Sequence, residues 1–409
     1  MKIKGNIFRY AATVLTTALL AAYAMAAEPE GKSADFRFAY DVDFEMNFDN
    51  RELYKSRFSR SMTIFGARLT PSVGLAVRQK NGMSHKIMVG IDIMKDFGNS
   101  PVPPEFTSGS SGETSERLNN TSLLRELTLY YRLDKRFGKT AMTMYAGIFP
   151  RRFTDEKEYS KAFFSDSLAF YDNNLEGLLI KFTRPKAHFE IGCDWMGQYG
   201  VARREKFMIF SHGEGKVAPV LSIGYSAYMY HFACSQLYEG VVDNFLANPY
   251  LKFDFAPLLA MQRFSVRLGW LQSLQQDRLN VGSYVFPCGG EMDVDIRKWN
   301  VGISNSLFYG NDMMPYYNSK DSSGYKYGNM LYMGDPFYRV HDNGSTAPGF
   351  YDRLEAYYEP QIGDFLKIRV SAMFHFNGRN YSGCQQTVSL KFNLQRLLDR
   401  KKTIMTNNL

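Results

Sequence analysis

Ala34-Asp35-Phe36-Arg37-Phe38-Ala39-Tyr40-Asp41-Val42-Asp43-Phe44-Glu45-Met46-Asn47-Phe48 is the stretch on which the fold turns. Phe36, Phe38, Tyr40, Val42, Phe44, Met46 and Phe48 share one parity, and Arg37, Ala39, Asp41, Asp43, Glu45 and Asn47 the other. That alternation identifies a β-strand, because successive side chains of a strand point to opposite faces. Two environments produce it: a sheet with one face on a soluble core and one in water, or a barrel wall between lipid and a polar lumen. The run is about 13 residues, longer than the ~5–6 of ordinary soluble strands and right for a tilted membrane strand with its interfacial ends.

The same period recurs outward from this stretch. Thr63, Phe65, Ala67, Leu69, Val73, Leu75 and Val77 share a parity, and Ile87, Val89, Ile91 and Ile93 follow an Asn81-Gly82 hairpin signal. Later runs are Leu127 to Leu133, Phe189 to Trp195, Leu366 to Phe376 and Val388 to Leu394. No stretch shows sustained helical periodicity. Short turns are expected at 79–84, 134–139, 183–187, 213–216, 257–262, 287–291 and 360–364, and longer connections at 49–60, 98–121, 150–173, 234–248 and 310–349. Weak strands near 205–212 and 281–286 complete the alternation. The expectation is an all-β, transmembrane antiparallel β-barrel of about 16 strands, within the range 14–18.

Lys2, Lys4 and Arg9 precede an apolar run from Ala11 to Ala24, and Ala24-Met25-Ala26 fits an export cleavage site. Read as a membrane anchor instead, the run is short of the ~20 residues a helix needs to span. The expected organisation is a signal peptide over 1–26, a barrel over 27–394 and a polar tail over 395–409 carrying Arg396, Arg400, Lys401 and Lys402. The expected localisation is the cell outer membrane.

Lys and Arg number 49 against 41 Asp and Glu; without Lys2, Lys4 and Arg9 the net charge falls from +8 to about +5. No basic block tracks a phosphate backbone, so nucleic acid is not an expected partner. Aromatic content of 15% at a mean hydropathy of −0.32 matches apolar residues diluted one for one, as a barrel wall requires. Cys193, Cys234, Cys288 and Cys384 form no CxxC pair and indicate neither a zinc site nor a disulfide scaffold. No cofactor is called for.

Signal peptide, alternating strands and the turn and loop alternation together resemble the porin-like outer-membrane barrels of Gram-negative bacteria. Ala162 to Ser167 through Asn174 to Gly177, and Gly334-Asp335-Pro336-Phe337-Tyr338, look like segments of uncharacterised Bacteroidetes-type barrels. The resemblance implies outer-membrane lipid, the barrel-assembly machinery and small hydrophilic solutes as partners, and is compatible with a homo-oligomer. Such proteins commonly end on a strand with a terminal aromatic; here Gln395 to Leu409 follow the last strand, and Phe392 stands in that role.

If the aromatic parity of the first strand faces lipid, then Arg37, Asp41, Asp43 and Glu45 line the lumen, since Arg or Lys at mid-membrane costs ~2–4 kcal/mol on the lipid side. His375 opposes Phe374 and Phe376 in parity and is a further lumen candidate. By the resemblance to porins, the third long connection, 150–173, folds inward as a constriction, offering Arg151, Arg152, Asp155, Glu156, Glu158 and Asp166. Equally, these charges belong to a surface loop and a wet lumen. The Tyr- and Asn-rich segment 310–349 is either a sugar-contacting surface or an aromatic belt above the membrane. No nucleophile elbow, zinc helix or phosphate loop is present, and the six histidines are dispersed. The expectation is therefore a non-enzymatic channel for passive diffusion, with a loop-plugged binding, adhesion or assembly barrel as the alternative and a barrel enzyme third.

Overall fold

The computed structural model describes residues 35–53, 56, 58–59, 61–97, 124–341 and 345–398. The signal-peptide segment and residues 399–409 of the tail lie outside the described residues. None of the helices in the described part is long and apolar enough to cross a membrane; the strands do so instead.

The strands are β1 (Asp35–Glu52), β2 (Met62–Arg78), β3 (Ser84–Asp96), β4 (Leu124–Phe137), β5 (Thr140–Pro150), β6 (Asn174–Arg184), β7 (Ala187–Gly197), β8 (Lys206–Lys216), β9 (Leu221–Phe232), β10 (Val242–Asp254), β11 (Arg263–Asp277), β12 (Cys288–Lys298), β13 (Val301–Gly310), β14 (Gly349–Tyr358), the two-residue β15 (Gln361–Ile362), β16 (Leu366–Asn377) and β17 (Asn380–Asn393). Each pairs antiparallel with its neighbour in sequence, β14 passes directly to β16, and β1 pairs with β17 from Asp43↔Asn393 to Glu52↔Cys384. Setting β15 aside, sixteen strands close into a barrel. At that size the wall encloses a space that side chains of the wall alone do not fill.

Alternation explains the wall. Leu129, Ile191, Ile223, Leu251, Leu268, Ile303, Val370 and Phe374 are exposed on the outer face. Between them, on the inner parity, Glu190, His212, Ser226, Asn244 and Asn248 are buried. Apolar surface outside and polar groups inside is the inverse of a soluble protein and is stable only against lipid.

Both ends of the chain's barrel, Asp35 and Asn393, lie at the end carrying the connections 79–83, 138–139, 185–186, 217–220, 255–262, 299–300 and 359–365. The opposite end carries the longer segments 151–173 and 311–348, with 198–205, 233–241 and 278–287 between them. The expected turn at 287–291 and strand at 281–286 are not found: residues 278–287 are a connection and β12 starts at Cys288. The turn lies at Trp299-Asn300, both left-handed with φ 52° and 65°, a two-residue hairpin without its usual glycine. Gly289, which imitates a turn residue, serves packing, since a Cβ on it would lie 2.5 Å from the Phe308 ring.

Candidate functional site in the lumen

The third long connection turns inward directly after Pro150. Arg151, almost fully buried, donates to the Asp172 carbonyl at 2.8 Å and reaches Asp194 of β7 at 3.2 Å, which closes the root of the segment. Two short 3-10 turns, Arg151–Phe153 and Glu156–Glu158, carry the chain onward to a six-residue helix, Asp166–Tyr171, whose N-cap is Ser165. Along this path Arg152 pairs with Asp41 at 2.7 Å and with Asp43, both on β1. Lys181 of β6 holds Asp155 at 2.6 Å. Glu190 of β7 accepts from the Asp155 N–H at 2.9 Å and from the Tyr159 hydroxyl at 3.1 Å. Glu158 pairs with Lys252 of β10 at 2.9 Å, and its carbonyl accepts from Arg267 of β11 at 2.6 Å. Ser160 donates to Glu291 of β12 at 2.6 Å, Asp166 faces Arg353 of β14 at 3.5 Å, and Ser167 accepts from Arg51 of β1. One segment touching the wall on so many sides lies inside it.

Segment 311–340 also folds inward, contrary to the reading of 310–349 as an exterior surface. Most of its large apolar side chains bury with the inner wall: Met314, Tyr327, Leu331, Tyr332, Phe337 and Tyr338 are all buried, while Tyr325 stays exposed. Tyr332 donates to Gln275 at 2.6 Å, the Tyr230 hydroxyl donates to the Met330 carbonyl at 2.8 Å, and Tyr338 donates to Glu291. The two inward segments meet each other through Ser165 N–H to the Met333 carbonyl at 2.9 Å and Asp335 N–H to the Lys161 carbonyl at 2.8 Å. Phe163, Phe164 and Leu168 join them into one apolar cluster with wall residues Phe210, Tyr228 and Phe308.

Toward the short-turn end the lumen is polar and charged. Asp41, Asp43 and Glu45 stand on β1, with Glu45 held by Lys391 at 2.5 Å. Lys181, Lys252 and Arg267 stand across from them on β6, β10 and β11. Of the residues named from sequence, Arg152, Asp41 and Asp43 are brought together, and Asp155 and Glu158 join the opposite, basic side. Glu156 is partly buried, and burial raises its carboxyl above the ordinary range against the opposing charges of Arg151, Lys161 and Lys391. Arg37 is exposed near the start of β1, away from this cluster. His375 stands on the inner face of β16, buried against segment 311–340 and stacked on Phe337 with ring centroids 4.4 Å apart.

Lys181, Glu190, His212, Glu214, Tyr250, Lys252 and Arg267 were not singled out from sequence as lumenal groups. The signal for several was available: Phe189, Ile191 and Trp195 face out, so His188, Glu190 and Asp194 face in. His188 and His212 come within 5.1 Å between ring centroids because β7 and β8 pair with Glu190 opposite His212. Tyr250 lies flat on Gly224, where a Cβ would stand 2.3 Å from its ring. Its hydroxyl therefore reaches His212 Nε2 at 2.9 Å and Glu214 at 3.1 Å.

Residues 32–233 match the model of the Lipid A 3'-O-deacylase-type family, a span ending just after β9. That description names an enzyme, and it overturns the expectation of a non-enzymatic barrel. The absence of a familiar local motif was a weak ground for that expectation, because a barrel wall assembles side chains across strands. No curated protein sequence matches. Among solved structures, OccAB3 of Acinetobacter baumannii is 9% identical, with 87% of this chain and 99% of that chain covered and a TM-score of 0.42. A triple mutant of the Rhodopseudomonas blastica porin is 10% identical, with 88% and 100% covered and a TM-score of 0.43. A loop-deletion mutant of OmpT, an outer membrane protein of Vibrio cholerae, is 8% identical, with 88% and 99% covered and a TM-score of 0.48.

Proposed function

We propose that the chain is a porin-like outer-membrane channel for small hydrophilic solutes, held narrow by its own segments 151–173 and 311–340. The observation that carries this reading is the course of the first segment across the lumen, from Arg152 on the acidic β1 side to Glu158 on the basic β10–β11 side. Ion pairs on both walls, Arg152 with Asp41 and Asp43 and Lys252 with Glu158 and Glu214, keep the passage polar, which favours hydrophilic solutes and disfavours apolar ones. The apolar cluster toward the long-connection end restricts the passage further, so small conductance is expected. Stepwise currents in planar bilayers test the reading. Wild-type chain should give small steps, and a chain in which a short Gly/Ser linker replaces 312–340 should give steps severalfold larger. Neither chain conducting, although both run as heat-modifiable barrels on mild gels, would sink the channel.

A second reading follows from the family match: hydrolysis of an acyl ester of lipid A. Such chemistry needs a base on the outer wall, at the level of the lipid. Within the matched span His231 sits at the long-connection end of β9 on the outer parity, its ring centroid 4.9 Å from that of Phe207; opposite it on β10, beyond the matched span, stands Asp243. Fatty-acid release from lipid A vesicles, read by mass spectrometry, tests this. Release that is lost in His231→Ala supports it, and no release from the wild-type chain removes it.

A further inference from the structure

We propose that Asp155, His188 and His212 form a binding site for one divalent transition-metal ion of the zinc class, pinning the inward segment to the wall at β7 and β8. The three side chains each present a ligand atom within 4.8 Å of the others. Two imidazoles and a carboxylate are donors suited to such ions. Donors on a tetrahedral zinc lie roughly 3.3 Å apart, given bonds of about 2.0–2.1 Å. The donors would have to close by at most about 1.5 Å to reach that spacing.

The second observation is the protonation pattern at His212. The Tyr250 hydroxyl has one proton, and Glu214, which only accepts, takes it at 3.1 Å. Tyr250 is therefore the acceptor in its 2.9 Å contact with His212, and His212 Nε2 must carry the proton. That leaves Nδ1 as a bare lone pair. Nδ1 is buried on a residue with 0% exposure and finds no hydrogen-bond partner among the described residues. A buried acceptor left empty costs free energy. A metal ion is the partner that a lone pair beside a second imidazole and a carboxylate fits. The Glu214–Tyr250–His212 chain is the outer-shell arrangement that fixes the tautomer of a metal-bound histidine.

The remaining charges permit a dication. Asp155, Glu158, Glu190 and Glu214 stand against Lys181, Lys252 and Arg267 within the same network. Lys181 occupies Asp155 Oδ1 at 2.6 Å and leaves Oδ2 for the ion. Asp155 and His188 are only half-buried, which leaves the site open to solvent for entry of the ion.

The test uses the full chain, untagged and folded in detergent, titrated with Zn2+ by calorimetry and with Co2+ by visible absorption. Wild-type protein should take up one equivalent and give the d–d bands of a four- or five-coordinate nitrogen and oxygen site. His188→Ala and Asp155→Asn should each weaken binding at least tenfold. Tyr250→Phe keeps the ring on Gly224 but frees the tautomer, and should weaken binding 10- to 100-fold. Heat-modifiable migration identifies the variants that have folded. No uptake by the wild-type chain, or uptake equal in folded wild-type, His188→Ala and Asp155→Asn proteins, would overturn the site.

Discussion

The Ser160 hydroxyl donates to the Glu291 carboxylate at 2.6 Å, and the same carboxylate accepts from Tyr338, so one buried side chain of β12 fastens both inward segments. Glu291→Ala leaves two buried hydroxyls without an acceptor, at about 1–3 kcal/mol each. The expected outcome is a lower thermal midpoint in near-ultraviolet circular dichroism and faster proteolysis within both segments. Glu291→Gln retains an acceptor and should recover most of the loss.

Removing Arg152 uncovers Asp41 and Asp43. The pair is partly exposed, with Arg152 at 31% and Asp41 at 16% side-chain exposure, so Arg152→Ala should cost at most about 1 kcal/mol of stability. Its electrical effect should be larger. The reversal potential under a salt gradient should move toward cation preference, and an unchanged potential would place these acids off the conducting path.

Phe163 is wholly buried at the junction of the two segments, with its ring 5.3 Å from that of Tyr228. Phe163→Ala should cost about 3–5 kcal/mol of plug packing. Far-ultraviolet dichroism of the barrel should persist while the near-ultraviolet signal weakens. Equal loss of both signals would mean that the plug and wall unfold as one.

Asp312 gives a pH dependence. Burial pushes its carboxyl up to about 7, opposed by the Met314 N–H that donates to it at 2.8 Å and by the charge of Arg339. The folded state therefore holds a proton that the unfolded chain has already released. Its contribution to stability is complete below the unfolded pKa near 4 and is lost as pH rises through about 7. Asp312→Asn should flatten the fall in thermal midpoint between pH 5 and pH 8, compared by scanning calorimetry. An identical fall in the variant would assign the dependence to other groups.

The wall was readable because alternation is local: Phe36 to Phe48 alone sets which side of β1 faces lipid, and Asn81-Gly82 and Gly138 mark turns that the structure contains. Trp299-Asn300 was unreadable because a left-handed tryptophan carries no turn signature. The inward course of 311–340 was equally hidden, since tyrosines with asparagines compose an interfacial belt and a lumenal plug alike. His188 and His212 stand 24 residues apart, and only the β7–β8 register, set across a connection absent from the sequence reading, brings them face to face. Pairings of that kind depend on where each hairpin turns, which composition does not encode.

The pairing of β1 with β17 has a consequence for assembly. The first and last strands to leave the ribosome form the seam, so the cylinder cannot shut until synthesis is complete. Segment 151–173 is made midway, yet it is bonded to β1 and β2 behind it and to β12 and β14 ahead of it. Its contents must be loaded while the sheet is still an open, curling surface, and the closing of the seam then locks them in.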